Sequence, residues 1–251
     1  MLNDKVINIG VIFAGGVGSR MHSKDVPKQF LNVHDKPIII HTLEHFEKCA
    51  DIDAVVIACI ESWIPHLENL LYRFRIEKVK KIVHGGETGQ LSIYNGLNAA
   101  KAVAGGNRAI VLVHDGVRPL ISPALLSRNI RCVKENGSAI TAGIVKETIV
   151  VIDKNGIIER VPEREFSRVA KAPQSFWLDE ILSAHERALK EGINNSIDSC
   201  TLMQRYGKKL YMIDGPYENM KITTPDDFYT MRAILDAKEN AQIYGYGDKI
   251  N

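Results

Sequence analysis

The chain has 251 residues, of which 45% are hydrophobic and 25% charged, and its 32 lysines and arginines against 30 acidic residues give a formal net charge of +2. This apolar content excludes a disordered protein, which would carry fewer hydrophobic residues and more net charge. The near-neutral balance also argues against a general nucleic-acid coat, because such binding needs an excess of positive charge.

No segment has the pattern of a targeting or membrane-spanning sequence. The first apolar run, residues 6–13, is too short to cross a bilayer and ends in glycines rather than in a cleavage site. The cysteines are far apart, contain no C-x-x-C pair, and are expected to be reduced: Cys49, Cys59, Cys132 and Cys200. We therefore expect a cytoplasmic protein with neither a membrane nor a nucleic acid as partner.

Short β-branched apolar runs alternate with longer segments of helical periodicity. Buried strands are predicted at residues 6–13, 54–59 and 109–113. Helices are predicted at residues 38–50, 63–75, 90–103, 123–136, 178–191 and 225–239. Thr224 followed by Pro225 is a typical start for the last of these helices. Continuous rather than alternating strands indicate burial on both faces, so the fold class is α/β, with a doubly wound, mostly parallel sheet.

One stretch departs from this alternation. Two β-type runs, residues 148–152 and 157–161, flank a turn of sequence Asp-Lys-Asn-Gly, and Asn-Gly between such runs is a strong hairpin signal. We predict a protruding hairpin arm at about residues 146–163, either an edge ornament or an oligomerisation device. The rest is predicted to be one domain, residues 1–240, followed by a tail of residues 241–251.

A glycine-rich loop follows the first strand directly, and its sequence is Ala-Gly-Gly-Val-Gly-Ser-Arg-Met at residues 14–21. Glycines at the carboxyl end of a strand let backbone N–H groups approach a phosphate. The dinucleotide fingerprint fails because Met21 stands where its third glycine should be, and the P-loop pattern fails as well. Two nearby cations, Arg20 and Lys28, suit a polyphosphate.

Six motifs then occur in one order along the chain: AGGVGSRM from residue 14, PKQF from 27, GGE from 85, VHDGVRP from 113, APQ from 172 and NMKITTPD from 219. This series resembles the sugar-alcohol-phosphate cytidylyltransferases over residues 6 to about 236. The resemblance implies a Rossmann-like nucleotidyltransferase fold of the glycosyltransferase-A type. It also implies transfer of a cytidylyl group from CTP to a sugar-alcohol phosphate, with release of pyrophosphate and with Mg²⁺ as cofactor.

The resemblance also assigns roles to individual residues. Asp115 would hold Mg²⁺, and Arg118 would orient Asp115 or contact the acceptor. The catalytic cations would be Arg20, Lys28, Arg164 and Lys221, the last two on the acceptor phosphate, with Thr148 beside them. The CTP-binding residues, which wrap the triphosphate or contact cytosine and ribose, would be Ala14, Gly15, Gly16, Gly18, Gly85, Gly86 and Ser92. The resemblance further implies a homodimer in which the arm reaches the neighbouring subunit's acceptor site.

Two positions depart from the pattern of the methylerythritol phosphate members of this group. Ala172 and Ile197 stand where those members carry threonines, so two hydroxyl groups are missing from the acceptor side. We therefore expect an alditol phosphate, ribitol 5-phosphate first, as the acceptor, for cell-envelope polymer synthesis. The alternative is methylerythritol 4-phosphate, for isoprenoid synthesis. More remote alternatives are a nicotinamide-dependent oxidoreductase and a nucleotide-binding module without turnover.

Overall fold

The computed structural model describes residues 5–16, 21 and 26–244. Its strands are β1 Ile7–Ala14, β2 Asn32–Val33, β3 Lys36–Pro37, β4 Ala54–Cys59, β5 Val79–His84, β6 Ala109–Asp115, β7 Ser138–Ile144, β8 Val151–Ile152, β9 Ile158–Arg160, β10 Arg168–Trp177 and β11 Met212–Asp214. Its α-helices are α1 Ile38–Lys48, α2 Ile64–Arg73, α3 Gly89–Ala104, α4 Pro123–Asn136, α5 Leu178–Lys190, α6 Ser199–Arg205 and α7 Pro225–Tyr244. Of these described helices, none is both long enough and apolar enough to cross a bilayer.

The main sheet has seven strands in the order β11-β7-β10-β6-β1-β4-β5 within the described residues. β10 runs antiparallel to both of its neighbours, and the other pairs are parallel. Helices cover both faces: α1, α2 and α4 pack on one apolar cluster, and α3, α5 and α6 pack on the other. This arrangement confirms the predicted α/β class with a doubly wound, mostly parallel sheet.

The central strands contribute to both clusters because alternate side chains point to opposite faces. Val55 and Ile57 of β4 lie in the first cluster, whereas Ala54 and Val56 lie in the second. All six residues of β4 are buried, which accounts for its unbroken apolar sequence. At the start of α7, the Asp227 backbone N–H donates to the Thr224 hydroxyl, as expected of a helix cap.

Four strands of the sheet and one helix lie where no element was predicted: β5, β7, β10, β11 and α6. β5 is an edge strand with two lysines, so its apolar signal is weak. β10 contains Pro173, which argues against a central strand. The structure accommodates this proline where the pairing of β10 with β7 shifts register, between Ala170 and Gln174.

The arm consists of β8 and β9, which pair with each other in a separate two-stranded sheet. Asp153 closes its turn by accepting hydrogen bonds from the backbone N–H groups of Asn155 and Ile157. Gly156 takes a φ of 84°, which explains the glycine of the Asn-Gly pair. The hairpin lies within the predicted range, although its strands are shorter than predicted.

Candidate active site

The site lies where the strand order reverses. The chain continues from β1 to β4 on one side of β1 and later returns to place β6 on its other side. Crevices at such switch points, outside the carboxyl ends of the strands, are the usual ligand sites of open α/β sheets. The register of β1 and β6 pairs Phe13 with Asp115, so the glycine loop and Asp115 leave the sheet side by side.

The glycine loop forms one wall of a cavity of about 360 Å³. Gly15 and Gly85 pack closely, because a Cβ atom on Gly85 would lie 3.3 Å from the Gly15 Cα. A Cβ atom on Gly16, by contrast, would meet nothing within 4 Å. The cavity is lined by Phe13, Ala14, Gly15, Gly16, Lys28, Gln29, Gly86, Glu87, Thr88, Gly89, Ser92, Asp115, Val117, Lys221 and Thr223. Two predicted residues of this loop, Gly18 and Arg20, lie outside the described residues.

Lys28 reaches this cavity from the short 3-10 helix Lys28–Phe30 and is buried. The neighbouring Gln29 is also buried, and its side-chain amide donates to the Ala14 backbone carbonyl at 2.7 Å. This bond ties the end of β1 to the segment that carries Lys28. Sequence analysis did not single out Gln29, although its place beside Lys28 in the PKQF motif was a usable signal.

The adjoining wall of this cavity is the turn between β5 and α3. The Ser92 hydroxyl accepts a hydrogen bond from the Gly86 backbone N–H at 2.9 Å and lies 3.0 Å from the Thr88 carbonyl, to which it donates. A Cβ atom on Gly86 would come within 2.3 Å of the Leu91 side chain, so this turn requires glycine. Ser92 and Gly86 therefore line this cavity, whereas Gly85 packs against Gly15 and is not part of the lining, and the contacts of these residues with cytosine and ribose stay a prediction.

Asp115 is the carboxylate with which two cations of the crevice, Lys221 and Arg118, form ion pairs. Its carboxylate is buried and lies 2.5 Å from the Lys221 ammonium and 2.7 Å from the Arg118 Nε. Burial alone would raise the pKa of this carboxyl, but the charges of Lys221 and Arg118 and their hydrogen bonds lower it to about 2. Asp115 is therefore ionised at any physiological pH, and Arg118 orients it, as one of the two predicted roles for Arg118 requires.

The donor set around Asp115 fits one kind of metal ion. No group of three or more His, Cys, Asp or Glu side chains converges on a point in the part of the chain that the structure describes. An all-protein metal cage is therefore absent there. Mg²⁺ is commonly held by one or two carboxylates together with phosphate oxygens and water. Asp115 offers one such carboxylate, and a metal ion there would share it with Lys221 and Arg118, which pair with its two oxygens.

A second network links Asp115 to the strand that carries Ala172. Arg118 donates to the Asn219 carbonyl at 3.1 Å, and the Asn219 side-chain amide donates to the Ala172 carbonyl at 2.7 Å. Asn219 is fully buried. The NMKITTPD motif therefore places Lys221 against Asp115 partly through Asn219, a residue for which sequence analysis had assigned no role.

A second cavity, of about 320 Å³, adjoins the first. The two share Phe13, Gly89, Asp115 and Lys221, so Asp115 and Lys221 lie at their junction. Ala172 is buried in the wall of the second cavity, and Ile197, 91% exposed, lies at its rim. Its further lining residues are Gln90, Ile93, Val113, Arg118, Ala170, Lys171, Gln174, His185, Ser196, Asp198, Ser199 and Leu202.

Thr148 and Arg164 are not part of this junction. The Arg164 guanidinium donates to the Thr148 hydroxyl at 3.0 Å, at the base of the arm. Both residues line a separate cavity of about 450 Å³ that shares no lining residue with the other two. Within one chain, the described structure thus divides the predicted site into a main group around Asp115 and a second pair on the arm.

Comparisons with known proteins identify the family of this chain. Residues 8–237 match the family model described as "IspD: 2-C-methyl-D-erythritol 4-phosphate cytidylyltransferase". A Streptococcus agalactiae serotype III (strain NEM316) protein named ribitol-5-phosphate cytidylyltransferase is 54% identical over 95% of this chain and 100% of its own length. A Clostridium acetobutylicum protein named 2-C-methyl-D-erythritol 4-phosphate cytidylyltransferase is 37% identical over 91% of this chain and 97% of its own length.

The fold has similar solved structures as well. The crystal structure of 4-diphosphocytidyl-2C-methyl-D-erythritol synthase from Anaerococcus prevotii DSM 20548 superposes with a TM-score of 0.80 at 26% identity, covering 92% of this chain and 96% of that chain. The superposition covers nearly the whole of both chains, so the similarity extends to the sheet, its helices and the crevice at its switch point.

Proposed function

Because this chain belongs to the 2-C-methyl-D-erythritol 4-phosphate cytidylyltransferase (IspD) family, we propose that it transfers the cytidylyl group of CTP to ribitol 5-phosphate, giving CDP-ribitol and pyrophosphate. The chain is a CTP-utilising nucleotidyltransferase, and the proposal concerns its acceptor. The observation that carries it is the 54% identity to a relative named for ribitol 5-phosphate, against 37% to one named for methylerythritol phosphate. Family membership argues against a nicotinamide-dependent oxidoreductase.

The junction of the two cavities suits this chemistry. An oxygen of the acceptor's phosphate forms a bond to the α-phosphorus of CTP, and the bond from that phosphorus to the departing pyrophosphate breaks. A phosphomonoester is largely dianionic near pH 7, since its second pKa is about 6, so no general base is needed. The barrier is mainly electrostatic, because two anions must meet and charge grows on pyrophosphate.

The chain's own cations address that barrier. Lys28 lines the glycine-loop cavity, where the triphosphate would lie, and would neutralise the leaving pyrophosphate. Lys221 lines both cavities and would bridge the acceptor phosphate and the α-phosphate. Asp115 would hold Mg²⁺, which when bound supplies positive charge to the triphosphate oxygens.

The assembly that we propose is a two-fold homodimer held by the arm. Arm residues of large apolar type are exposed in the single chain, namely Ile149, Val150, Ile152, Ile157, Ile158 and Val161. An isolated two-stranded ribbon is marginal and needs a surface to pack on. A neighbouring chain would cover this surface and would receive Thr148 and Arg164 at its acceptor site.

The reaction would take place in the cytoplasm, and its product would serve cell-envelope polymer synthesis.

The decisive experiment compares two acceptors at saturating CTP. Pyrophosphate release gives kcat/KM for ribitol 5-phosphate and for 2-C-methyl-D-erythritol 4-phosphate with the same enzyme. We expect ribitol 5-phosphate to be preferred at least about tenfold, because a pocket without the two threonine hydroxyls discriminates against an acceptor that needs them. A tenfold preference for methylerythritol phosphate would contradict the proposal and assign the chain to isoprenoid synthesis.

A further inference from the structure

Polar groups on the inner side of the second cavity have no hydrogen-bond partner among the described residues. His185 of α5 is 1% exposed, and neither of its ring nitrogens has a partner. Ser199, the first residue of α6, is also buried, and its hydroxyl lacks a partner as well. Both residues line the same cavity as Lys221 and Asp115. Buried polar groups are nearly always satisfied, so each exception calls for a ligand or a water.

The neighbouring polar side chains Gln174 and Gln90, by contrast, already make hydrogen bonds within the protein. Gln174 donates to Asp198 and accepts from the Cys200 backbone N–H. Gln90 donates to the Ile193 carbonyl and accepts from the Ser196 backbone N–H. Of the fully buried side-chain atoms without a hydrogen-bond partner in the described chain, those on the lining of this cavity belong to His185, Ser199 and Asp115, and the Asp115 oxygen is ion-paired with Lys221.

The chemistry of these two side chains selects the kind of ligand. Burial lowers the pKa of the His185 imidazole to about 4, so the ring is neutral at neutral pH. A neutral imidazole offers one donor and one acceptor, and a serine hydroxyl likewise does both. A hydroxyl group complements such partners, whereas phosphate and carboxylate oxygens only accept. The cations that line this cavity already have partners: Arg118 and Lys221 pair with Asp115, and Lys171 donates to the Tyr217 carbonyl.

On the basis of the proposed function, we propose that His185 and Ser199 bind the hydroxyl groups at the end of the acceptor farthest from its phosphate, and so select a long alditol chain. The phosphate must lie at the junction, beside Lys221, to reach the α-phosphorus. The carbon chain then extends away from the triphosphate into the second cavity. This arrangement places polyol hydroxyls against the two unpartnered side chains, and it compensates for the polarity lost at Ala172 and Ile197.

The test measures how the kcat/KM of each side-chain variant depends on the length of the acceptor. The wild type and the variants His185→Leu, His185→Gln and Ser199→Ala are assayed with ribitol 5-phosphate and with the shorter glycerol 3-phosphate. Where turnover of glycerol 3-phosphate is too slow, it is measured as a competitive inhibitor instead. His45→Leu is the matched control, since His45 is a half-buried histidine whose pKa is likewise lowered to about 4, and it lines neither cavity.

We expect His185→Leu to lower kcat/KM for ribitol 5-phosphate about 30-fold and Ser199→Ala about fivefold, with less than a threefold effect on glycerol 3-phosphate and on the KM for CTP. His185→Gln should recover part of the loss, and His45→Leu should change neither ratio. Equal losses for both acceptors, or no loss, would overturn the proposal.

The same assay separates this proposal from the proposed function. If the wild type prefers methylerythritol phosphate, the acceptor assignment fails, and the variants are judged on that polyol against glycerol 3-phosphate. If the wild type uses no polyol phosphate, both proposals fail. If ribitol 5-phosphate is used equally well by the wild type and by the His185→Leu variant, only the role of His185 and Ser199 is lost.

Discussion

Lys28 is 9% exposed and lines the glycine-loop cavity, where a triphosphate would lie. Because a preorganised cation stabilises developing charge strongly at a site that largely excludes water, the Lys28 ammonium would stabilise the departing pyrophosphate. We predict that Lys28→Ala lowers kcat at least about 100-fold, equivalent to about 2.7 kcal/mol of transition-state stabilisation. The KM for CTP should change less, because charge on pyrophosphate grows only in the transition state.

Steady-state kinetics at varied CTP concentration check this expectation. Lys101→Ala is the matched control, since Lys101 is an exposed lysine of α3 that lines neither cavity of the site. Thermal melting of both variants separates a kinetic loss from a loss of folded protein. A Lys28→Ala enzyme with near-normal kcat would remove Lys28 from the mechanism.

Asp115 carries the second prediction at the scale of single residues. Asp115→Asn keeps the shape of the side chain but removes the charge that pairs with Lys221 and Arg118. We expect turnover to fall at least about 100-fold and the Mg²⁺ concentration for half-maximal activity to rise, because the protein ligand for the metal is lost. Activity is measured across a Mg²⁺ titration for the wild type, Asp115→Asn and Asp115→Glu. Full wild-type activity in excess chelator would refute the metal assignment.

Among the elements, the arm joins two functions in one hairpin. Its exposed isoleucines and valines are the surface that we propose packs on a second chain, and its base carries Thr148 and Arg164. If Arg164 acts in the neighbour's site, Arg164→Ala and Lys221→Ala damage opposite halves of each shared site. Random pairing makes half of the dimers mixed. In each mixed dimer one of the two sites carries both substitutions and the other carries neither. We predict that co-refolding the two inactive variants in equal amounts restores about a quarter of wild-type activity.

Two measurements accompany the mixing experiment. Sedimentation should give a dimer for the wild type at micromolar concentration and a monomer for Ile158→Asp, which places a charge on the apolar surface. Lys154→Ala, in the exposed turn of the same arm, is the control and should stay dimeric and active. Mixed dimers that form without recovering activity would show that Arg164 does not act across the interface.

At the scale of the whole molecule, buried neutral histidines make stability depend on pH. Burial lowers the pKa of His185 to about 4, and burial lowers the pKa of His45 to about 4 despite its hydrogen bond to the Pro119 carbonyl. In the unfolded chain both would titrate near 6.5. Between pH 6.5 and pH 4 the unfolded state therefore binds more protons than the folded state, and the free energy of unfolding falls as the pH falls.

We predict that unfolding in this range takes up at least two protons, which lowers the free energy of unfolding by about 1.4 kcal/mol per pH unit for each histidine. Urea unfolding at pH 7.0, 6.0 and 5.0 measures the slope. His185→Leu should reduce the uptake by about one proton. A free energy of unfolding that is constant over this range would contradict the prediction.

Elements whose signals are local could be predicted from the amino-acid sequence. The strand of residues 54–59 and the helix of residues 123–136 were predicted with the bounds that the structure shows, because periodicity and capping residues are encoded within each segment. The turn of the arm was likewise readable from its Asn-Gly pair. The motif series further indicated the family and the residues around the glycine loop.

Which side chains from distant parts of the sequence come into contact depends on how those segments pack in three dimensions. Asp115 and Lys221 are separated by 106 positions, and their contact depends on Asn219 and Arg118 bridging a loop to β10. β10 itself was missed because Pro173 contradicts a central strand until the register shift is known. In the sequence, nothing distinguishes His185 from other residues of its helix. Its burial and its lack of a hydrogen-bond partner arise only from the packing of the folded protein. The spacing of residues within a strand or helix determines on which side of that element a side chain lies. The packing of distant segments determines which groups that side chain contacts.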